Sequence, residues 1–99
     1  MSEYTVRTIC GSMRFYNRML AAAEQAAADG VIVLMPFVQK VPTDLGGDSE
    51  DFKEMLNDMH RAKIDMSDGI IVVGKEYIGE STKGEIEYAK GRGIEIIYL

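Results

Sequence analysis

Four short runs of β-forming residues alternate with three stretches of helical periodicity along 99 residues, and this alternation restricts the fold more than any other feature of the chain. Strands that alternate with helices join into a parallel sheet through right-handed crossovers. The first run, Tyr4 to Cys10, carries Tyr4, Thr5, Val6, Thr8 and Ile9 and leads into the Gly11-Ser12 turn. The second, Val31 to Met35, is uninterruptedly apolar and ends at Pro36. Such a run predicts a strand covered on both faces. Ile70 to Val73 reads the same way, and Ile94 to Leu99 forms the fourth strand.

Between the strands, Phe15, Met19, Ala22 and Ala26 share one face of a helix from Met13 to Ala28. Its alanines favour helix and allow close packing on a sheet, and Gly30 stops it. A second helix from Glu50 to Met66 repeats Phe52, Met55, Leu56, Met59 and Met66, a stripe expected to fill the core. A third runs from Thr82 to Lys90, with Gly91 and Gly93 as its stop. The stretch from Val38 to Ser49, with Pro42, Gly46 and Gly47, reads as a polar loop long enough to be a lid. The order is βαβαβαβ in a single domain over residues 1–99, without repeats or low-complexity segments.

Composition narrows the function. With 46% hydrophobic and 27% charged residues, the chain is of the folded, globular class. A net charge of -5 disfavours a nucleic-acid polymer as partner, because polymer affinity rests on cationic contacts to phosphates. One nucleotide in a locally basic pocket is compatible with that charge. No apolar run approaches the roughly 20 residues of a bilayer span, and Met1-Ser2-Glu3-Tyr4 lacks the basic start and apolar stretch of a secretory signal. A cytoplasmic location without membrane partners is expected. Cys10 is the only cysteine and His60 the only histidine, so neither an internal disulfide nor a closed Cys/His zinc site is expected. Any metal would have to draw on carboxylates; no metal or cofactor is expected.

An open parallel sheet binds ligands beyond the carboxyl ends of its strands. The loops that matter are then Gly11 to Arg14, Pro36 to Ser49 and Lys75 to Thr82. In the first, the helix start favours an anion, Gly11 lets backbone approach, Ser12 offers a hydroxyl, and Arg14 can make a two-pronged contact to a phosphate. A plain glycine-serine helix start with a surface arginine fits the same residues. Neither a Walker A loop nor G-x-G-x-x-G is present. In the third loop, Glu85 in a first helical turn is a candidate nucleophile toward a sugar carbon. Thr82-x-x-Glu85 is equally a capping box, in which the glutamate bonds back to the helix start. Gly84 beside it is costly in a helix, by about 1 kcal/mol relative to alanine, and suggests a close approach to the backbone. On the second helix Lys63 projects near the buried face and His60 lies at its edge, while Asp58 points away. Lys63 either reaches the crevice or snorkels to water. His60 can give and take a proton there. Asp65 and Asp68 read as helix-end and turn residues, and Cys10 as core.

Taken together, Cys10-Gly11-Ser12-Met13-Arg14, Asp65-Met66-Ser67-Asp68 before Gly69-Ile70-Ile71-Val72-Val73, and Gly84-Glu85-Ile86-Glu87-Tyr88-Ala89 resemble the nucleoside 2-deoxyribosyltransferase superfamily. Within it the chain is most similar to deoxynucleoside 5′-monophosphate N-glycosidases and to small bacterial and phage relatives. The resemblance covers nearly the whole chain. It implies a flavodoxin-like, Rossmann-like three-layer fold with a four-stranded parallel sheet, a homodimer or higher homo-oligomer, and a small nucleotide or nucleoside as substrate. It implies Glu85 as the nucleophile at C1′, with Gly11, Ser12, Met13 and Arg14, together with Gly79, Ser81 and Thr82, around the substrate and its 5′-phosphate. Relatives carry an aspartate where this chain has His60, which becomes the second catalytic candidate. They also normally have a fifth strand and a further helix, so a bare sheet edge paired with another subunit is expected. The resulting expectation is an N-glycosidase or deoxyribosyltransferase, with a non-catalytic nucleotide-binding module of the same fold as the alternative. A third reading is a structural subunit whose loops only cap helices.

Overall fold

Val6–Cys10 forms the central strand β1, hydrogen-bonded on one side to β2 (Ile32–Leu34) and on the other to β3 (Gly69–Val72), which in turn pairs with β4 (Glu95–Tyr98). The coordinates, a computed structural model, describe residues 3–36 and 41–99. Every pairing is parallel, and the strand order is β2-β1-β3-β4. The helices are α1 (Tyr16–Ala28), α2 (Glu50–Asp65) and α3 (Glu80–Gly91). The expected βαβαβαβ order and flavodoxin-like three-layer architecture are therefore present.

Alternation along the strands divides the core into two. Ile9, Ile71 and Val73 point to one face, where Met19 and Ala26 of α1 bury them with Phe15, Ala22, Val31, Val33 and Met35 at the margin. Cys10, Ile70 and Val72 point to the other, under Ile64 of α2 and Ile86 and Ala89 of α3. Each fully buried aliphatic side chain contributes about 1.5–3 kcal/mol to folding.

Local chemistry explains the helix ends. Ser49 caps α2 by accepting from the Phe52 N–H at 3.1 Å, and Glu50 and Asp51 add negative charge to its positive end. Gly30, at φ +81°, leaves α1 in the left-handed region that glycine occupies without strain. A 3-10 turn over Met13–Phe15 precedes α1, so the α-helix proper begins later than the periodicity predicts.

Three sequence expectations need correction. β2 is not covered on both faces: Ile32 is 43% exposed, and no residue of the strand is buried. It is an edge strand, and α2 crosses over β1 instead of over β2. The methionine stripe of α2 is not core either, since Met55, Met59 and Met66 are 46%, 48% and 63% exposed. The buried line of that helix instead passes through His60 and Ile64, so a count of apolar residues misplaces its centre. Finally, α3 begins at Glu80 after Gly79, not at Thr82. Of the expected lid, Val38 and its neighbours through residue 40 lie outside the described residues. The part from Val41 to Ser49 forms a short 3-10 turn over Thr43–Leu45 and leads into α2.

Candidate functional site

β1 and β3 are neighbours whose onward connections leave in opposite directions, through α1 to β2 and through α3 to β4. This is the switch point at which an open parallel sheet leaves a crevice. A cleft of about 420 Å³ opens there.

Glycine brings its walls together. Gly11 has φ +152°, and a Cβ there would stand 2.6 Å from the carbonyl oxygen of Val73. Only a residue without a side chain lets the turn after β1 lie against the end of β3. Gly74, at φ +81°, leaves its space to the Phe15 ring. The loop after β3 is further tied to the first helical segment by a salt bridge between Arg18 and Glu76, which holds the Glu76 carboxyl below its ordinary range. It is tied again by Arg14, whose guanidinium stacks 3.6 Å from the centre of the Tyr77 ring.

At the floor of the cleft three side chains meet. Cys10 Sγ lies 3.5 Å from His60 Nε2, and His60 Nε2 lies 3.5 Å from Glu85 Oε1. Cys10 is fully buried, His60 is 9% exposed, and the Glu85 side chain is 19% exposed. Burial pushes the Cys10 thiol far above its ordinary pKa, and the Glu85 charge and a hydrogen bond to Glu85 raise it further. The thiol therefore stays protonated, with His60 Nε2 at 3.5 Å and the Glu85 carboxylate within 4.8 Å. His60 Nδ1 is buried with no partner among the described residues.

The capping-box reading of Glu85 fails on position. Because α3 starts at Glu80, Glu85 sits in its second turn and not its first, and the helix has no side-chain cap at all. Thr82 is buried at 4% in the wall beside it. The Glu85 carboxylate is thus free of the helix start and turned to the cleft. Among the described residues outside the helix's own backbone, none lies within 4 Å of where a Gly84 side chain would stand, and a second cleft of about 280 Å³ opens there between Arg61 and Glu85.

Of the other predicted site residues, Gly11, Ser12, Met13, Gly79, Ser81 and Thr82 all line the main cleft. Arg14 does not; it is committed to Tyr77, which does. Ser12 Oγ accepts from the Arg14 N–H at 3.4 Å, a weak cap. Lys63 reaches the crevice, as one of its two readings expects, and donates to the Met35 carbonyl at 2.7 Å. Ser67 and Thr8 fix that end of α2: both hydroxyls bond the Lys63 carbonyl, and they lie 2.6 Å apart. The Asp68 N–H donates to the Val6 carbonyl and Asp68 Oδ2 accepts from the Val6 N–H, while Asp65 accepts from Tyr88, so both are structural as expected.

Tyr77 and Glu80 line the cleft within the Lys75 to Thr82 loop that the sequence points to, whereas Cys10, Leu56, Asn57 and Met59 were not singled out as lining residues. For Cys10 a signal existed: it is the last residue of the central strand, directly before the glycine turn, and strand ends at a switch point face the crevice. For Asn57 none did. No family model, curated protein or solved structure matches the chain.

Proposed function

We propose that the chain is an N-glycosidase or deoxyribosyltransferase acting on the N-glycosidic bond of a nucleoside 5′-monophosphate or nucleoside, with Glu85 as nucleophile. The observation that carries this reading is a carboxylate released from its own helix start and presented to a sugar-sized cleft, 3.5 Å from the only imidazole in the chain. Attack of a Glu85 oxygen on C1′ forms a glycosyl ester as the C1′–N bond breaks, and the departing base carries off the bonding pair and takes a proton. In this reading His60, whose Nε2 lies 3.5 Å from Glu85 Oε1, supplies that proton. Water, or a second base in the transfer reaction, then displaces Glu85 from C1′. The chain-end phosphate of a monophosphate would lie against the backbone of Gly11 to Met13 and the hydroxyls of Ser12 and Ser81, where the start of α3 favours an anion. The resemblance of the Gly-Ser-x-Arg turn and the Gly84 to Ala89 helix to the deoxyribosyltransferase superfamily supports the same substrate class.

A homo-oligomer is part of this proposal. Exposed Met13 and Met59 stand at the cleft, and both outer strands of the sheet have an unpaired edge among the described residues.

The test is a panel of nucleosides and nucleoside monophosphates assayed by chromatography for liberated base. Wild type is expected to release base from at least one of them, and Glu85→Gln to be slower by at least ~1000-fold with an unchanged circular dichroism spectrum. Release from none of the substrates, or undiminished release by Glu85→Gln, overturns the catalytic reading.

A second reading, a nucleotide-binding module without turnover, is favoured by one observation: His60 is buried against Cys10 and Glu85, where deoxyribosyltransferase relatives carry an aspartate. Thermal stabilisation by a nucleotide without base release distinguishes it.

A further inference from the structure

Cys10, His60 and Glu85 offer one sulfur, one imidazole nitrogen and one carboxylate oxygen, all within 4.8 Å of one another. From the metal–ligand lengths of zinc, about 2.3 Å to sulfur and 2.0–2.1 Å to nitrogen or oxygen, the edges of a tetrahedral site are roughly 3.3–3.6 Å long. The two measured edges, Cys10 Sγ to His60 Nε2 and His60 Nε2 to Glu85 Oε1, are both 3.5 Å. Two edges of one face of such a tetrahedron are therefore already in place, and the third, from Cys10 Sγ to the Glu85 carboxylate, is no longer than 4.8 Å. The fourth corner opens on the cleft, as in zinc sites that keep one position for water or substrate.

The ligands come from three different elements, the end of β1, the middle of α2 and the second turn of α3, so the fold and not a local loop assembles them. His60 is buried, with Nε2 shared between a thiol and a carboxylate and Nδ1 without a partner among the described residues. Nothing in the described chain fixes which ring nitrogen carries the proton.

We propose that this cluster binds a single zinc-class divalent cation through Cys10 Sγ, His60 Nε2 and Glu85, with a water in the fourth position. The ligand set selects the metal. A thiolate and an imidazole suit zinc or cobalt, whereas magnesium and calcium take oxygen ligands. On binding, the Cys10 S–H bond breaks, the sulfur electron pair goes to the metal, and the proton leaves to solvent through the cleft. His60 is then held with its proton on Nδ1, and the positive charge offsets the desolvation that keeps the free thiol protonated. This is an open site with one carboxylate, distinct from the closed Cys/His site that the composition excludes.

The inference stands on the ligand geometry and is independent of the glycosidase reading. The two do intersect at one atom group, because a metal-bound Glu85 cannot attack a sugar. If the glycosidase reading also holds, zinc inhibits base release and a chelator restores it.

The metal-free wild-type protein, titrated with cobalt(II) alone, tests the site without any substrate. Since Cys10 is the only cysteine, a thiolate-to-cobalt charge-transfer band can arise from no other residue. One equivalent of cobalt is expected to produce that band together with the intense visible bands of tetrahedral cobalt, and zinc to bleach both. Glu85→Gln and His60→Gln are expected to weaken zinc binding at least tenfold by calorimetry. Absence of the charge-transfer band in wild type overturns the proposal, as does zinc affinity unchanged in both variants. The wild-type spectrum decides the matter even if a variant fails to fold.

Discussion

The two faces of one sheet are built on different terms. Under α1, Ile9, Ile71 and Val73 meet Met19 and a row of alanines, and no side chain in that cluster carries a charge or an unsatisfied polar atom. Under α2 and α3, only one strand position further along, the same sheet presents Cys10 and Thr8 to His60, Ser67 and Glu85. The α1 face buries apolar surface and does nothing else. The other face gives up part of that burial to hold a thiol, an imidazole and a carboxylate at the mouth of the switch point, where electrostatic interactions are strengthened by low local dielectric. The difference teaches that the site is not a decoration on the loops. It takes up the strand-end part of a face that Ile64, Ile70, Val72, Ile86 and Ala89 otherwise keep apolar.

Substitutions on the two faces can break this comparison. The largest effect on stability is expected from Met19→Ala, which empties a fully buried position on the dry face and costs about 2–5 kcal/mol in urea denaturation. A cost no larger than that of a surface substitution would show that the α1 face is not the stabilising one. Next comes the alkaline limb of stability on the polar face. The folded Cys10 thiol has a raised pKa, so the unfolded chain loses its proton first as pH rises. The contribution of this group is complete below the unfolded value of about 8.5 and is lost progressively above it, towards the folded value. Urea midpoints measured from neutral to alkaline pH are expected to fall in this window for wild type and to fall less for Cys10→Ala. An identical fall in the two proteins would remove the thiol as its cause.

A smaller effect is expected at His60. His60→Leu removes a ring with an unpartnered buried nitrogen and is expected to leave stability within about 1 kcal/mol of wild type, or to raise it. If it costs as much as Met19→Ala, the imidazole is a satisfied part of the core and the contrast between the faces fails. The smallest effect is expected from Glu76→Gln, which removes an exposed ion pair with Arg18. The global melting midpoint is expected to stay where it is, with faster amide exchange confined to the Lys75 to Thr82 loop. Faster exchange through β3 as well would mean that this loop is coupled to the sheet.

Much of this was legible from residue patterns. Alternating apolar runs announced a parallel sheet, and Phe15, Met19, Ala22 and Ala26 marked the packed face of α1, because a repeating period reports burial against one surface. The glycine turn after Cys10 and the region around Glu85 were marked as the walls of a cleft, because strand order and chain direction restrict where a crevice can open. The same method misread α2. It scored Met55 and Met59 as buried on hydrophobicity, and it gave His60 the edge of the face, although His60 and Ile64 are the buried residues. Periodicity counts apolar residues, and a polar residue in a core position is invisible to it.

Sequence by itself determined the order of elements, the parallel sheet and the turns that only glycine can make, since these depend on neighbours along the chain. Only the tertiary structure decided that Glu85 lies beyond reach of its own helix start, that Arg14 rests on Tyr77, and that Cys10 meets His60 and Glu85. Those outcomes depend on where α2 crosses the sheet and where α3 begins. A shift of one residue in either turns a helical side chain by about 100° and moves it out of the cluster.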